Sequence, residues 1–222
     1  MKDILVVAPH ADDEVLGCGG SLLKWKSEGH RLHWLLVTKV HEQVGFDKSR
    51  QGRRALEISA ISDFLGFDTV NCLNFPSAQL DQVSDGELIA AISGVVTSVA
   101  PSDVLLPFWG DAHTDHYVTF STASACTKIF RYPYVKRVLA YETLSETDFG
   151  FYPNQNFQPN LFVDISGHLK RKIDAMGMYP SEMGIHPFPR SEKSIEALAT
   201  LRGTQAGTEA AEAFMIIKER EL

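Results

Sequence analysis

The chain has few cysteines, no long apolar run and no excess of positive charge, and each shortage removes a class of protein. Cys18, Cys72 and Cys126 are the only cysteines in 222 residues and form no Cys-x-x-Cys pair. An odd number without paired spacing argues against a disulfide framework, so a reducing, cytoplasmic setting is expected, with all three thiols in the core. The N-terminal apolar run covers only five residues before His10, whereas a secretory core needs about 7 to 15 and a membrane span roughly 20. The longer stretch from Leu88 to Ala100 is broken by Ser93, Gly94, Thr97 and Ser98. No membrane insertion is expected. Twenty-one basic residues against 28 acidic ones leave a net charge of -7, the wrong sign for following a nucleic acid backbone or an anionic bilayer. Low-complexity tracts and internal repeats are also missing, so no domain boundary is expected between residues 1 and 222.

What remains is a pattern of alternating elements. Strand-like runs occur at 4–8, 32–38, 69–75, 103–108, 137–142 and 161–165, the first four with the composition of buried strands. Helix-length segments lie between them at 16–28, 48–65 and 86–99, and a fourth follows at 116–130. Over 48–65, Ala55, Ile58, Ile61, Ser62 and Leu65 fall near one face, as an amphipathic helix requires. Strand and helix in alternation predict a single-domain α/β fold, Rossmann-like, with a mostly parallel sheet and helices on both faces. Two turn-rich stretches, 143–160 and 178–190, are expected to be loops of the kind that line binding sites.

Ligands of such sheets bind beyond the carboxyl ends of the strands. Two polar clusters stand there: APHADDE after the first strand and PFWGDAHTDH after the fourth. A dinucleotide site is the rival reading, since GCGGS at 17–21 has glycines near a helix start. The glycines follow the polar cluster instead of the strand, and Leu22 takes the third glycine's place, so close helix packing explains them better.

The two clusters hold the chemistry. A catalytic zinc site takes three His, Asp, Glu or Cys ligands and keeps a position open, and a close pair plus one distant residue is a common way to build it. His10 and Asp13 suit the close pair and His116 the distant ligand. Asp12 is then free to take a proton from a water that the ion activates. His113 is placed to donate to an oxyanion or to a leaving amine, with Asp111 or Asp115 orienting its ring. The bland alternative is a solvated turn whose aspartates only cap helices. Glu14 reads as a helix-start charge favoured by the macrodipole. His30 and His33 would point to opposite faces of a strand, and His41, His168 and His186 have no partner at ligand spacing.

APHADDE with a glycine-bearing helix after it, and His-x-Asp-His after a later strand, resembles the LmbE/PIG-L family of zinc-dependent N-deacetylases. Further matches are Arg54 with Glu57 before Leu65-Gly66, Phe162 to Ile165 followed by Lys172 and Ala175, and Arg202-Gly203 leading to Glu212-Ala213-Phe214. The resemblance implies His10, Asp13 and His116 on the metal, Asp12 as general base and His113 as a further catalytic histidine. It also implies a substrate, an N-acetylated amino sugar or glycoconjugate, with Zn2+ as cofactor; Fe2+ or Co2+ also suit a His/His/Asp set. Arg54 would anchor a substrate hydroxyl or phosphate, or pair with Glu57, and Trp109 would stack on a sugar ring. Ala11 and Thr114 replace common prolines, and Ser181-Glu182 replaces Ser-Gln, without touching the ligand set. Partners are expected to be small molecules, with no nucleic acid or membrane, and a homo-oligomer is compatible with the sequence. The alternatives are an amidase acting on an amino-sugar thiol conjugate or antibiotic intermediate, and a non-catalytic sugar-binding module.

Overall fold

The computed structural model describes residues 1–39, 48–151 and 154–221, with side-chain surroundings from residue 51 onward in the second segment. The elements run β1 (Asp3–Ala8), α1 (Asp13–Ser27), β2 (Arg31–Lys39), α2 (Lys48–Leu65), β3 (Thr69–Pro76), α3 (Asp85–Val99), β4 (Asp103–Pro107), α4 (Thr114–Ala125), β5 (Arg137–Tyr141), β6 (Leu161–Asp164), α5 (Leu169–Met176), α6 (Glu192–Ala206) and β7 (Ala211–Glu219). They form one α/β domain around a seven-stranded sheet in the order β3-β2-β1-β4-β5-β7-β6. The first five strands pair in parallel, while β7 runs antiparallel to both β5 and β6.

Alternation along β1 builds a core on each face of the sheet. Ile4, Val6 and Ala8 pack with Val15, Leu22 and Trp34 under α1, whereas Leu5 and Val7 pack with Leu88, Ile92 and Ala123 under α3 and α4. With both faces covered, the central strands are apolar throughout. The topology also fixes where a ligand can sit. β1 is flanked by β2 on one side and β4 on the other, so consecutive connections leave it in opposite directions and open a crevice at the strand ends.

Several expectations need correction. The third strand is not buried: β3 is the sheet edge and its residues are all half-buried or exposed, because one flank has no strand neighbour among the described residues. Cys72 on it is therefore exposed, unlike Cys18 and Cys126. The fourth helix begins at Thr114 and stops at Ala125, where Ser124 and Thr127 turn their hydroxyls onto backbone carbonyls. Strand β7 and helices α5 and α6 add to the elements expected from the sequence. Along 48–65, Ile61 and Leu65 are in the core, but Ala55 and Ile58 face a cleft. No helix of the described residues is long and apolar enough to cross a membrane.

The glycines of α1 serve packing. A Cβ on Gly17 would enter the ring of Tyr141, and one on Gly20 would come within 2.7 Å of Ile165. Gly94, exposed on α3, has nothing within 4 Å. Thermal unfolding should therefore separate the two helices: Gly17→Ala costs about 1–3 kcal/mol by overpacking, while Gly94→Ala stabilises by about 0.5–1 kcal/mol through helix propensity. Equal effects at the two positions would contradict the packing role.

Candidate metal centre and active-site cleft

The segments after β1 and β4 meet because their strands are hydrogen-bonded neighbours, with Ile4 opposite Asp103 and Val6 opposite Leu105. His10, Asp13 and His116 then offer three ligand atoms within 4.8 Å of one another. The Nδ1 atom of His10 and the Nε2 atom of His116 each lie 3.4 Å from Asp13 Oδ2. Each ring is held from behind by a buried carboxylate. His10 Nε2 is 2.9 Å from Asp115 Oδ2, and His116 Nδ1 is 2.7 Å from Asp111 Oδ2. Asp111 and Asp115 thus orient His116 and His10, not His113 as expected from chain proximity. This carboxylate–histidine pattern fixes which ring nitrogen faces a cation.

A second group, His10, His113 and Asp115, also falls within ligand reach. Its carboxylate is already heavily engaged, because Asp115 accepts from His10, from the Ala78 N–H at 2.7 Å and from the Leu80 N–H at 3.1 Å. Among the described residues Asp13 accepts one backbone N–H, that of His10 at 2.8 Å, and keeps lone pairs for an ion. Two imidazoles and a carboxylate suit a borderline cation such as zinc.

Asp12 stands apart from these. It occupies the N-cap of α1 yet its side chain makes no capping bond, which removes the helix-capping explanation for it. Its backbone has φ 148° and ψ -27°, a conformation L residues rarely adopt and one that costs on the order of 1–3 kcal/mol. Burial, Asp13 and Glu182 push its carboxyl up to about 7. Burial opposes charge on Asp13 too, but His116 and His10 outweigh it and hold that carboxylate well below the ordinary range. Burial also disfavours charge on the rings of His10 and His116. The Asp115 bond and Asp13 nevertheless lift His10 to about 9, and Asp13 with Asp111 raises His116.

His113 caps α4, its Nδ1 accepting the Asp115 N–H at 3.1 Å. Burial and the neighbouring His10 lower it to about 4, so at neutral pH the ring is neutral and carries its proton on Nε2.

The cleft over these groups measures about 410 Å³. His10, Asp12, Asp13, His113 and Arg54 all line it. Arg54 does pair with Glu57, at 3.3 Å, and it also binds Glu182 and the carbonyl of Ala11. Trp109 is elsewhere: its ring packs between Phe108 and Phe120 in a shallow surface depression with Tyr117 and Ile217. The chain turns back after β4, which carries the tryptophan away from the cleft. His186 is exposed and outside the cleft lining, and His41 lies outside the described residues.

Both expected loops reach the cleft. Thr143, Ser145 and Glu146 line one side, tied down by Thr147 Oγ1, which donates to Asp111 at 2.6 Å and accepts the Thr143 N–H at 2.8 Å. Glu182 and Arg190 line the other, and Arg190 Nη1 donates to Ser145 Oγ at 3.1 Å, bridging the loops. Sequence reasoning assigns none of these residues a role; the departure at Ser181-Glu182 is the available signal, since a carboxylate there supplies the counter-ion for Arg54. Glu14 is not the surface helix-start charge that its position suggests. It is fully buried, bonded to Tyr179, and lifted to about 8 by burial despite that bond.

Residues 5–127, more than half of the chain, match the sequence family PIG-L, described as GlcNAc-PI de-N-acetylase. The chain belongs to the PIG-L family. A diacetylchitobiose deacetylase of Thermococcus kodakarensis is 25% identical to this PIG-L protein over 229 residues, spanning 98% of this chain and 84% of the relative. The conserved protein TT1542 of Thermus thermophilus superposes with a TM-score of 0.81 at 28% identity, covering 100% of this chain and 97% of its own. GalB, the 4-carboxy-2-hydroxymuconate hydratase of Pseudomonas putida, superposes at 0.77 with 19% identity, covering 100% and 98%. The last likeness is one of fold alone. The PIG-L fold therefore accompanies more than one named activity, and the site must carry the functional argument.

Cation binding should displace protons, because His10 and His116 are both held protonated at neutral pH and must each free one nitrogen. Calorimetric titration of zinc in buffers of different ionisation enthalpy should give close to two protons released per ion at pH 7, falling as the pH passes about 9. His116→Ala should abolish stoichiometric binding, and Asp111→Asn should weaken it by about 10–100-fold. Unchanged zinc affinity in both variants would remove this group as the metal centre.

Proposed function

We propose that this chain is a metal-dependent N-deacetylase that hydrolyses the N-acetyl group of an N-acetylated amino sugar or glycoconjugate, releasing acetate and a free amine. One observation carries the reading: Asp12, a carboxylate without a capping bond, opens onto the same cleft as the His10, Asp13 and His116 ligand atoms. Those three residues would hold zinc, with iron or cobalt as chemically suitable substitutes. When bound, such an ion supplies Lewis-acid polarisation of a carbonyl and acidification of a water.

The chain's own groups fill the remaining roles. Asp12, titrating near 7, suits a base that takes a proton as the water oxygen bonds to the carbonyl carbon, and returns it to nitrogen as the C–N bond breaks. His113 is neutral at that pH, which favours it as a hydrogen-bond donor to the developing oxyanion over a role as proton source for the amine. Asp111 and Asp115 keep the two metal-facing imidazoles in register. Arg54 retains donor capacity after Ala11, Glu57 and Glu182 are served, and is assigned to a substrate hydroxyl. The family match and the diacetylchitobiose deacetylase relative support an acetylated sugar as the substrate class.

Acetate release from a panel of N-acetylglucosamine conjugates, N,N'-diacetylchitobiose included, tests the reading. Chelation should stop the release and zinc readdition restore it. Asp12→Asn should keep its zinc and lose about 10²–10⁴-fold in kcat, the usual contribution of a positioned base. A zinc-loaded protein that cleaves none of the panel would move the function to another amide or to binding, and a fully active Asp12→Asn would remove that residue as the base.

A further inference from the structure

The Ala11–Asp12 peptide is gripped at both ends. Its carbonyl oxygen accepts from Arg54 Nη1 at 2.8 Å, and its N–H donates to Glu14 Oε2 at 3.1 Å. The two gripping side chains are themselves joined. The Tyr179 ring lies against the Arg54 guanidinium, 5.2 Å from centroid to Cζ, and its hydroxyl donates to Glu14 Oε1 at 2.8 Å. Arg54, the peptide, Glu14 and Tyr179 thus close a ring of contacts around one amide plane. Glu14 and Tyr179 are fully buried.

By holding the Asp12 nitrogen in place, those contacts set the direction in which the Asp12 side chain leaves the backbone. On its other side Asp12 is already committed to α1, since its carbonyl accepts the N–H groups of Val15 at 3.0 Å and Leu16 at 2.9 Å. With α1 fixed, φ at Asp12 depends on the orientation of the preceding peptide, and the observed value of 148° lies where L side chains are strained. A turn about N–Cα alone would leave the side chain in place; with the Asp12 carbonyl fixed on α1, it is rotation about Cα–C that moves the amide nitrogen and the carboxylate together, and the contacts of that peptide with Glu14 and Arg54 oppose the combined rotation by which the strained φ would relax. A carboxylate needed only for the helix macrodipole would gain most at the surface, whereas burying one requires specific partners.

We infer that Glu14 is a positioning residue: with Arg54 and Tyr179 it locks the Ala11–Asp12 peptide in its strained orientation and so fixes where the Asp12 carboxylate stands in the cleft. This rests on the reading of Asp12 as the base. The strain is maintained by surrounding contacts, as it must be to persist at a functional site.

A double-mutant cycle separates this role from a general structural one. Glu14→Leu, measured for acetate release, should lower kcat by about 30–100-fold, the scale of an ångström-size misplacement, with zinc stoichiometry and KM little changed. In an Asp12→Asn background the same substitution should change kcat less than about 3-fold, because its effect passes through Asp12. Glu14→Gln, which keeps an oxygen for the Asp12 N–H, should recover most of the rate. An equal loss in both backgrounds would overturn the inference while leaving Asp12 as base; full activity of Asp12→Asn alone would overturn the underlying reading. If Glu14→Leu does not fold, Tyr179→Phe in the same two backgrounds gives the same comparison with a smaller loss. A crystal structure of the folded variant is the second readout and needs no substrate: φ of Asp12 leaving the positive region together with a displaced carboxylate supports the lock, and φ remaining near 148° or an unmoved carboxylate refutes it.

Discussion

Asp13 is 3% exposed, and the surroundings of the cleft follow from making that burial tolerable. A carboxylate taken out of water without partners costs several kcal/mol, so it needs compensating charge at short range. His10 and His116 supply it, and the N–H of His10 adds a hydrogen bond. Each imidazole in turn needs a partner for its remote nitrogen, which brings in Asp115 and Asp111. Those carboxylates are satisfied by the backbone of Ala78 and Leu80 and by the hydroxyl of Thr147.

This chain of dependence links four separate stretches of sequence and determines the shape of the cleft. The segment after β3 is held by Asp115, and the loop after β5 is held through Thr147 and Asp111. Across from them, Glu182 gathers Arg54 and Arg190, so that α2 and the 178–190 loop form the opposite wall. Within this nearly saturated network the Asp12 side chain makes no hydrogen bond among the described residues. It is a buried carboxylate in a strained turn beside a potential cation site, and the proposal of Asp12 as the base rests on that combination.

Much of this is legible in the sequence. The alternation of apolar runs with amphipathic segments identifies an α/β sheet and six of its strands, the central ones because burial on both faces leaves a continuous hydrophobic signature, whereas the edge strand β3 is recognised as a strand but not as an exposed one. The helix at 48–65 can be read to the residue, since Gly66 ends it plainly. The pairing of APHADDE with DAHTDH is visible because both clusters follow strands whose carboxyl ends face one side. β7 is hidden because its outer half is polar and its neighbours in the sheet are β5 and β6, neither adjacent to it in sequence. Glu14, Glu182 and Tyr179 are hidden for a related reason: a buried polar side chain is recognised by its partners, and Tyr179 meets Glu14 across 165 positions while Glu182 meets Arg54 across 128.

The sequence by itself determined the class of fold, the identity of the metal-capable residues and the presence of one surplus carboxylate, because these depend on local periodicity and on chemistry carried within short motifs. Only the tertiary structure decided which carboxylate orients which histidine, that Trp109 faces away from the cleft, and that the Ala11–Asp12 peptide is bonded to both Arg54 and Glu14. Those outcomes depend on the order of strands at the switch point between β1 and β4, and on hydrogen bonds formed across long separations, where direction matters as much as residue type.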